Sequence, residues 1–256
     1  MSDPTQKGKI QSVLGLIDPA DLGLTMTHEH LLIDFSVMFN PSPDVTTQRM
    51  AHAPVSMENL GWIRQYCYSN LDNLLVLDED TAIEEAMLYQ RHGGGAIVDA
   101  TTIGIGRDPL ALARISRGAG LHVVMGAGYY VDAAQPNNIN EMDENDIYQE
   151  IVRDIQVGVG STGIKAGIIG EIGCTWPLKP NELKVLKASA RAQSETGASI
   201  LIHPGRDENA PIEILNILVD AGADISRVIM GHLDRTVETI GTLEKIADTG
   251  CVLEWD

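Results

Sequence analysis

Basic residues are scarce in this chain, which has 18 lysines and arginines against 36 aspartates and glutamates and a formal net charge of −18. A field of that sign repels phosphate, so the composition argues against nucleic acids and anionic membrane surfaces as partners. The charge balance bears on solubility and on partners, and it leaves the fold open.

Cysteines and long apolar runs are also scarce. Cys67, Cys174 and Cys251 form an odd, widely separated set without a CxxC pair, which argues against a disulfide framework and favours a reducing cytosol. No apolar run approaches the roughly 18 residues that a membrane span needs, and the opening MSDPTQKGKI lacks the apolar stretch of a leader. The sequence therefore predicts a soluble, cytoplasmic protein.

From residue 79 onward the chain repeats the order helix, glycine-containing turn and short apolar strand. The predicted helices span 80–91, 108–117, 144–157, 181–196, 210–221 and 237–249, and the predicted strands span 25–34, 96–101, 122–128, 166–173, 199–203, 228–232 and 251–256. Such alternation predicts a parallel sheet covered by helices. Residues 9–17 predict a short hairpin, and 35–78 are irregular apart from a helix-like piece at 57–66, which predicts either a functional loop or a flexible lid.

Two architectures fit this alternation, an open doubly wound sheet and a (β/α)8 barrel. An open sheet usually carries a GxGxxG turn near its first strand, and this chain has none there. The polar residues instead cluster at the carboxyl ends of several strands, where a barrel assembles its site. We therefore predict an α/β fold of the (β/α)8 TIM barrel type, with residues 1–256 as a single domain.

Two histidines, His28 and His30, stand in the predicted first strand, TMTHEHLLID. Residues two apart in a strand point to the same side, about 6 to 7 Å apart along the backbone. Both imidazoles therefore face one space, which suits a metal ion, although an isolated pair is more often explained as ordinary polar residues at a strand end.

Three further strands end in residues whose side chains can bind a metal ion, namely Glu171, His203 and His232. Any one of them alone could be a satisfied core residue. Together with His28 and His30 they supply imidazoles and a carboxylate, the ligand set that two zinc-like divalent ions require. A carboxylate can place one oxygen on each ion and fix their spacing at about 3.5 to 4 Å.

The motifs that carry these residues, THEH at 27–30, AGIIGEIG at 166–173, IHPGR at 202–206 and GHLDR at 231–235, resemble those of the phosphotriesterase-related proteins of the amidohydrolase superfamily. The resemblance covers essentially the whole chain. It implies a barrel whose two divalent metal ions, expected to be zinc, activate a bridging hydroxide for hydrolysis. It further implies that His28 and His30 bind the more buried ion, that His203 and His232 bind the more exposed ion, and that Glu171 bridges them.

Two features depart from the pattern that the resemblance implies. Bacterial phosphotriesterases bridge their metals with a carbamylated lysine, which makes Lys165 a rival to Glu171. Six residues of strand, roughly 20 Å, separate the two and place Lys165 at the opposite barrel mouth.

The family's final aspartate ends an eighth strand, and Asp256 lies in the predicted seventh, so that role is not assigned to it. We expect a barrel shortened after its seventh strand, either active or a non-catalytic short form, with an apolar face that could drive association into a homo-oligomer.

The resemblance implies hydrolysis of the C–N bond of small N-acyl amides such as N-acetyltaurine, with lactone or phosphotriester hydrolysis as the alternative. Arg206 and Arg235 each follow a ligand histidine by three residues and would suit an anionic substrate, unless they pair with the neighbouring acids. Tyr130 and Thr102, which follow the third and second predicted strands, are further candidates for substrate binding, although strand-end residues of these types are commonly structural.

Overall fold

A seven-stranded parallel sheet dominates residues 8–256, the part of the chain that the computed structural model describes. In chain order the strands are β1 (Ile10–Ser12), β2 (Gly15–Ile17), β3 (Leu24–Glu29), β4 (Ile33–Asp34), β5 (Leu75–Val76), β6 (Gly94–Asp99), β7 (His122–Ala127), β8 (Ile168–Gly173), β9 (Ile200–His203), β10 (Val228–Met230) and β11 (Val252–Leu253). The helices are α1 (Val45–Gln48), α2 (Leu60–Gln65), α3 (Glu79–Arg91), α4 (Pro109–Ala119), α5 (Glu144–Gln156), α6 (Pro180–Thr196), α7 (Ala210–Asp220), α8 (Leu233–Thr236) and α9 (Ile240–Ala247).

The large sheet has the strand order β11-β10-β9-β8-β7-β6-β3, so each new strand adds beside the previous one. β3 and β11 form its two edges, yet Nδ1 of His28 in β3 lies 2.9 Å from Oδ2 of Asp256, which follows β11. A flat sheet of seven strands spaced about 4.8 Å apart would separate its edges by roughly 29 Å. The sheet is therefore curled, which brings the carboxyl ends of its strands together and confirms the predicted barrel class.

Local sequence signals explain why the helices begin and end where they do. In α4 the Asp108 side chain accepts hydrogen bonds from the amides of Leu110 and Ala111, Pro109 takes the first helical position, and Gly120 ends the helix in the left-handed conformation. Most predicted helices and strands agree with the observed ones to within two residues, because caps and turns of this kind are local.

The predicted first strand, 25–34, was wrong in one respect because it is two strands. β3 ends at Glu29, and β4 pairs antiparallel with β5 at the far end of the irregular connection. His30 therefore lies just after the strand rather than inside it. The predicted last helix, 237–249, is also shorter than expected, since it begins only at Ile240.

The irregular connection between β4 and β5 folds back over the carboxyl ends of the strands. It contains α1, α2 and several short 3-10 turns, one of which spans Cys67–Ser69 and carries Tyr68. The ring of Phe35, at the start of the connection, lies 6.2 Å from the Tyr68 ring and 5.9 Å from the Tyr130 ring. The connection thus contributes side chains to the region where the strands end.

No helix within residues 8–256 is long and apolar enough to cross a membrane. The expectation that the chain lacks a leader concerns, in part, residues 1–7, which lie outside the described residues. The cytoplasmic location, the single-domain organisation and the association into homo-oligomers stay predictions.

Candidate metal centre

Glu171 occupies the centre of the site, in the middle strand β8, with 1% of its side chain exposed. Its carboxylate faces four imidazoles: Nδ1 of His203 lies 2.7 Å away, Nε2 of His30 3.2 Å away, and Nε2 of His28 and of His232 3.3 Å away. The structure thus brings together all five residues that the sequence predicts as metal ligands. Their role as ligands stays a prediction.

Each imidazole faces the carboxylate through a defined nitrogen, and the opposite nitrogen of the ring has its own partner. His30 has its Nδ1 2.9 Å from the hydroxyl of Thr101, which donates its own proton to the carbonyl of Leu32. Because Thr101 therefore accepts from His30, the ring is left with a lone pair on Nε2, the nitrogen that faces Glu171.

Asp99 supports this arrangement from beneath, at the end of β6. Its buried carboxylate accepts hydrogen bonds from the amides of Leu31 and Thr101, at 2.8 and 3.1 Å. Burial raises the pKa of Asp99 to about 6, against the opposing effect of His30 and of these hydrogen bonds. Asp99 therefore holds the backbone of Thr101 and the backbone of Leu31, the residue that follows His30.

Two carboxylates that the sequence reasoning did not assign complete the surroundings of the imidazoles. Asp256 lies 2.9 Å from Nδ1 of His28 and 2.7 Å from Nδ1 of His232, and Glu254 lies 3.4 Å from Nδ1 of His28. The signal that could have found them is their spacing, because Glu254 and Asp256 stand two apart at a strand end as His28 and His30 do. The resemblance gives Asp256 no role, because the family's final aspartate ends an eighth strand.

His232 is held in an unusual backbone conformation, with φ at 55° and ψ at 35°. A non-glycine residue in this left-handed region costs about 1 to 3 kcal/mol and persists where the surrounding structure enforces it, which is common at functional sites. With this backbone conformation, Nε2 of His232 lies 3.3 Å from Glu171 immediately after β10.

The charges of the site favour an ionised Glu171 and a positive occupant. Burial opposes the ionisation of Glu171, but the surrounding histidines, His203 above all, hold its pKa well below the usual range. Burial lowers the pKa of His203 against the pull of Glu171, which favours the neutral imidazole that binds metals. At His28 burial lowers the pKa, but Glu171, Glu254 and Asp256 more than offset this and raise it to about 10.

The residues present fit a divalent metal ion. Nε2 of His28 is buried and makes no hydrogen bond to any other described residue. One ligand atom from each of His28, Glu171 and His232 lies within 4.8 Å of the other two. Nitrogen and carboxylate donors in this number suit zinc and related ions.

The relative exposure of the histidines does not follow the division into a more buried and a more exposed ion. The His28 side chain is 4% exposed, but that of His30 is 23% exposed, above His203 at 16% and His232 at 15%. His30 is the most open of the four, although His28, in the preceding edge strand β3, is the least exposed. The assignment of each pair to one ion stays a prediction.

Lys165, the rival bridging residue, precedes β8, whereas Glu171 is the fourth residue of that strand. The side chain of Glu171 faces the histidines at the carboxyl end, and Lys165 stands before the opposite end of the same strand. This arrangement favours Glu171, and its bridging role stays a prediction.

Two of the residues predicted to bind substrate contact His203, and a third contacts Tyr68. The Tyr130 hydroxyl lies 3.1 Å from Nδ1 of that ring, and Nη2 of Arg235 lies 3.2 Å from its Nε2. Nη2 of Arg206 lies 3.4 Å from the hydroxyl of Tyr68, a residue of the long connection that the sequence reasoning did not single out. Burial raises the pKa of Tyr130, which keeps its hydroxyl protonated.

The fourth residue, Thr102, is fully buried, and its hydroxyl has no hydrogen-bond partner among the described residues. The hydroxyl that contacts a histidine of the site belongs to its neighbour Thr101. A contact between Thr102 and substrate stays a prediction.

A curled parallel sheet with four imidazoles and a buried carboxylate at the carboxyl ends of its strands defines an α/β-barrel enzyme of the metal-dependent type. Comparison with known proteins specifies this class further. The sequence model of the phosphotriesterase family matches residues 8–256, and the chain belongs to this family, whose members are metal-dependent hydrolases.

Named relatives and solved structures agree with this assignment. The chain is 45% identical over 250 residues to an N-acetyltaurine hydrolase of Homo sapiens, covering 97% of this chain and 71% of that protein. It is 46% identical over 252 residues to a phosphotriesterase-related protein of Nematostella vectensis, covering 97% and 72%. The crystal structure of a resiniferatoxin-binding protein from Rhodobacter sphaeroides superposes with a TM-score of 0.95 at 36% identity, covering 97% of this chain and 70% of that chain.

Proposed function

We propose that this chain hydrolyses the C–N bond of a small N-acyl amide that carries an anionic group, with N-acetyltaurine as the first substrate to test. The N-acetyltaurine hydrolase of Homo sapiens, which is 45% identical to this chain, supports the choice of an amide. The observation that carries the anionic part of the proposal is the pair of arginines at the outer side of the site.

Arg206 and Arg235 do not form the salt bridges to neighbouring acids that are the alternative to an anion-binding role. Within residues 8–256 neither guanidinium lies within 4.0 Å of a carboxylate, although Asp207 and Asp234 are their chain neighbours. In a chain with twice as many acidic as basic residues, two unpaired arginines at one mouth form a local positive region. A sulfonate or carboxylate suits the planar, multiply donating guanidinium group.

The proposed division of roles follows from distance. His28, His30, Glu171, His203 and His232 would hold two divalent ions. When bound, such ions lower the pKa of a water molecule and polarise the carbonyl of the substrate. Arg235, 3.2 Å from His203, would bind the anionic end of the substrate, and Arg206, 3.4 Å from the Tyr68 hydroxyl, would add a second guanidinium for it.

Water adds to the carbonyl carbon and the C–N bond breaks, so the products are a carboxylate and an amine. Hydrolysis of N-acetyltaurine by the zinc-loaded protein, followed as released taurine, tests this reaction beside a lactone and a phosphotriester. Taurine release that is abolished by chelation and restored by added zinc is expected. Turnover of only the lactone or the phosphotriester would contradict the amide proposal, and absence of both metal binding and turnover would favour the non-catalytic short form.

The arginine roles have a separate test. Arg235→Ala is expected to raise KM for N-acetyltaurine about 10- to 100-fold, since a hydrogen bond to a charged group contributes about 1.5 to 3 kcal/mol. Arg206→Ala is expected to have a smaller effect because its side chain is exposed. Arg91→Ala, which removes an exposed charge at the end of α3, is the control. An equal rise in KM for a neutral N-acetyl amide would refute the anion role.

A further inference from the structure

We infer that Asp256 is a positioning residue that binds the rings of His28 and His232 with its two carboxylate oxygens and thereby directs Nε2 of both rings toward Glu171. Oδ2 lies 2.9 Å from Nδ1 of His28, and Oδ1 lies 2.7 Å from Nδ1 of His232. This inference rests on the proposed function, because it concerns how the proposed metal ligands are oriented.

The chemistry of neutral imidazole gives the contact its consequence. A histidine that binds a metal ion does so as the neutral ring, which has one N–H and one lone pair, so a ring that donates from Nδ1 to a carboxylate presents its lone pair on Nε2. In both His28 and His232, Nε2 is the nitrogen that lies 3.3 Å from Glu171. One carboxylate therefore selects the same metal-binding form in two histidines.

The contact also fixes the distance between two separate parts of the fold. His28 belongs to the edge strand β3, and His232 follows β10, beside the opposite edge. Their ring centroids lie 4.7 Å apart, with the ring planes 43° apart. Asp256 is the described side chain that contacts Nδ1 of both rings, so it sets this separation as well as the two tautomers.

Glu254 has a secondary part in the same arrangement. Its Oε2 lies 3.4 Å from Nδ1 of His28, longer than the contact that Asp256 makes with the same atom, and it is 7% exposed. Gly231 leaves room for it, because a Cβ at that position would stand 3.2 Å from Oε2 of Glu254. We therefore expect the loss of Glu254 to matter less than the loss of Asp256.

Asp256→Asn tests the inference with almost no change in size. The asparagine oxygen can accept from one imidazole, but its amide group faces the other with a donor, which favours the wrong tautomer in that ring. Loss of such an outer partner typically weakens metal affinity about 10- to 100-fold. The measurement is titration of chelator-treated protein with Co²⁺ alone, by calorimetry and by the visible absorption that reports the coordination of cobalt.

The expected result is a 10- to 100-fold weaker Co²⁺ affinity with an altered visible spectrum and an unchanged number of ions at saturation. Glu254→Gln should have a smaller effect, and Asp256→Glu, which keeps the carboxylate, should recover part of the loss. Asp248→Asn, which removes an exposed negative charge just before β11, is the matched control and should equal the unmodified protein.

Affinity and spectrum unchanged in Asp256→Asn would overturn the inference, and so would the loss of one bound ion at saturation, because that would make Asp256 a direct ligand. If circular dichroism shows that Asp256→Asn does not fold, the Co²⁺ affinities of the other two variants decide. A larger loss of Co²⁺ affinity in Glu254→Gln than in Asp256→Glu would refute the positioning role of Asp256. Cobalt binding that depends on Asp256 in a protein without amidase activity would contradict the proposed function alone. An unmodified protein that binds no cobalt would contradict both.

Discussion

Replacement of Glu171 by glutamine removes one charge from the centre of the site and leaves its volume nearly unchanged. The carboxylate is 1% exposed and lies between 2.7 and 3.3 Å from four imidazole nitrogens, so no water or neighbouring carboxylate can take its place without rearrangement. Loss of one partner from such a buried charged cluster costs about 3 to 5 kcal/mol. Loss of an outer partner of a metal ligand weakens affinity about 10- to 100-fold, so we expect loss of the bridging carboxylate itself to weaken metal affinity by more than about 100-fold.

Metal affinity is measured by titration of the chelator-treated variant with Zn²⁺, and hydrolysis of N-acetyltaurine is measured at saturating zinc. Lys165→Met is the matched variant, because it removes the amine that would carry a carbamate in the rival arrangement. Glu171→Gln is expected to lose affinity and turnover, and Lys165→Met is expected to retain both. The opposite pattern, with normal binding in Glu171→Gln and loss in Lys165→Met, would refute the assignment of the bridge.

Two further predictions concern residues that support the site and the fold. Thr101→Val removes the acceptor that lies 2.9 Å from Nδ1 of His30, and a loss of about 10- to 100-fold in Co²⁺ affinity is expected; unaltered binding would show that the hydroxyl does not orient the ring. Asp154→Asn leaves the guanidinium of Arg107 without its partner, 2.7 Å away, in a pair whose side chains are 5% and 1% exposed. We expect the free energy of unfolding in urea to fall by about 3 to 5 kcal/mol, and a decrease below about 1 kcal/mol would contradict the importance of the pair.

The position of the candidate metal centre depends on how far the sheet curls. His28 and Asp256 stand near opposite edges of a seven-stranded sheet but lie within hydrogen-bond distance of each other. Every strand between them adds its right-handed twist, so residues at the carboxyl ends converge on one volume. The same convergence places Arg235 and Tyr130 beside His203, although they follow different strands.

The sequence by itself determined the alternation of strands and helices and the five candidate ligands, whereas the parity argument for His28 and His30 assumed a strand that ends before His30. These features are local, because helix caps act within one turn and side chains alternate along a strand with a period of two. The preference for Glu171 over Lys165 also needed only the length of one strand. For the same reason most helix and strand bounds could be predicted to within two residues.

Only the tertiary structure decided which groups contact the candidate ligands from the side opposite Glu171. The contact between Glu254 and His28 joins residues 226 positions apart, and that between Tyr68 and Arg206 joins residues 138 positions apart. No local period relates such residues, and their distance depends on the summed twist of all the strands and on the path of a long connection. The ring nitrogen that each histidine presents, and the bond of Asp256 to two rings at once, follow from that summed geometry and not from any spacing in the chain.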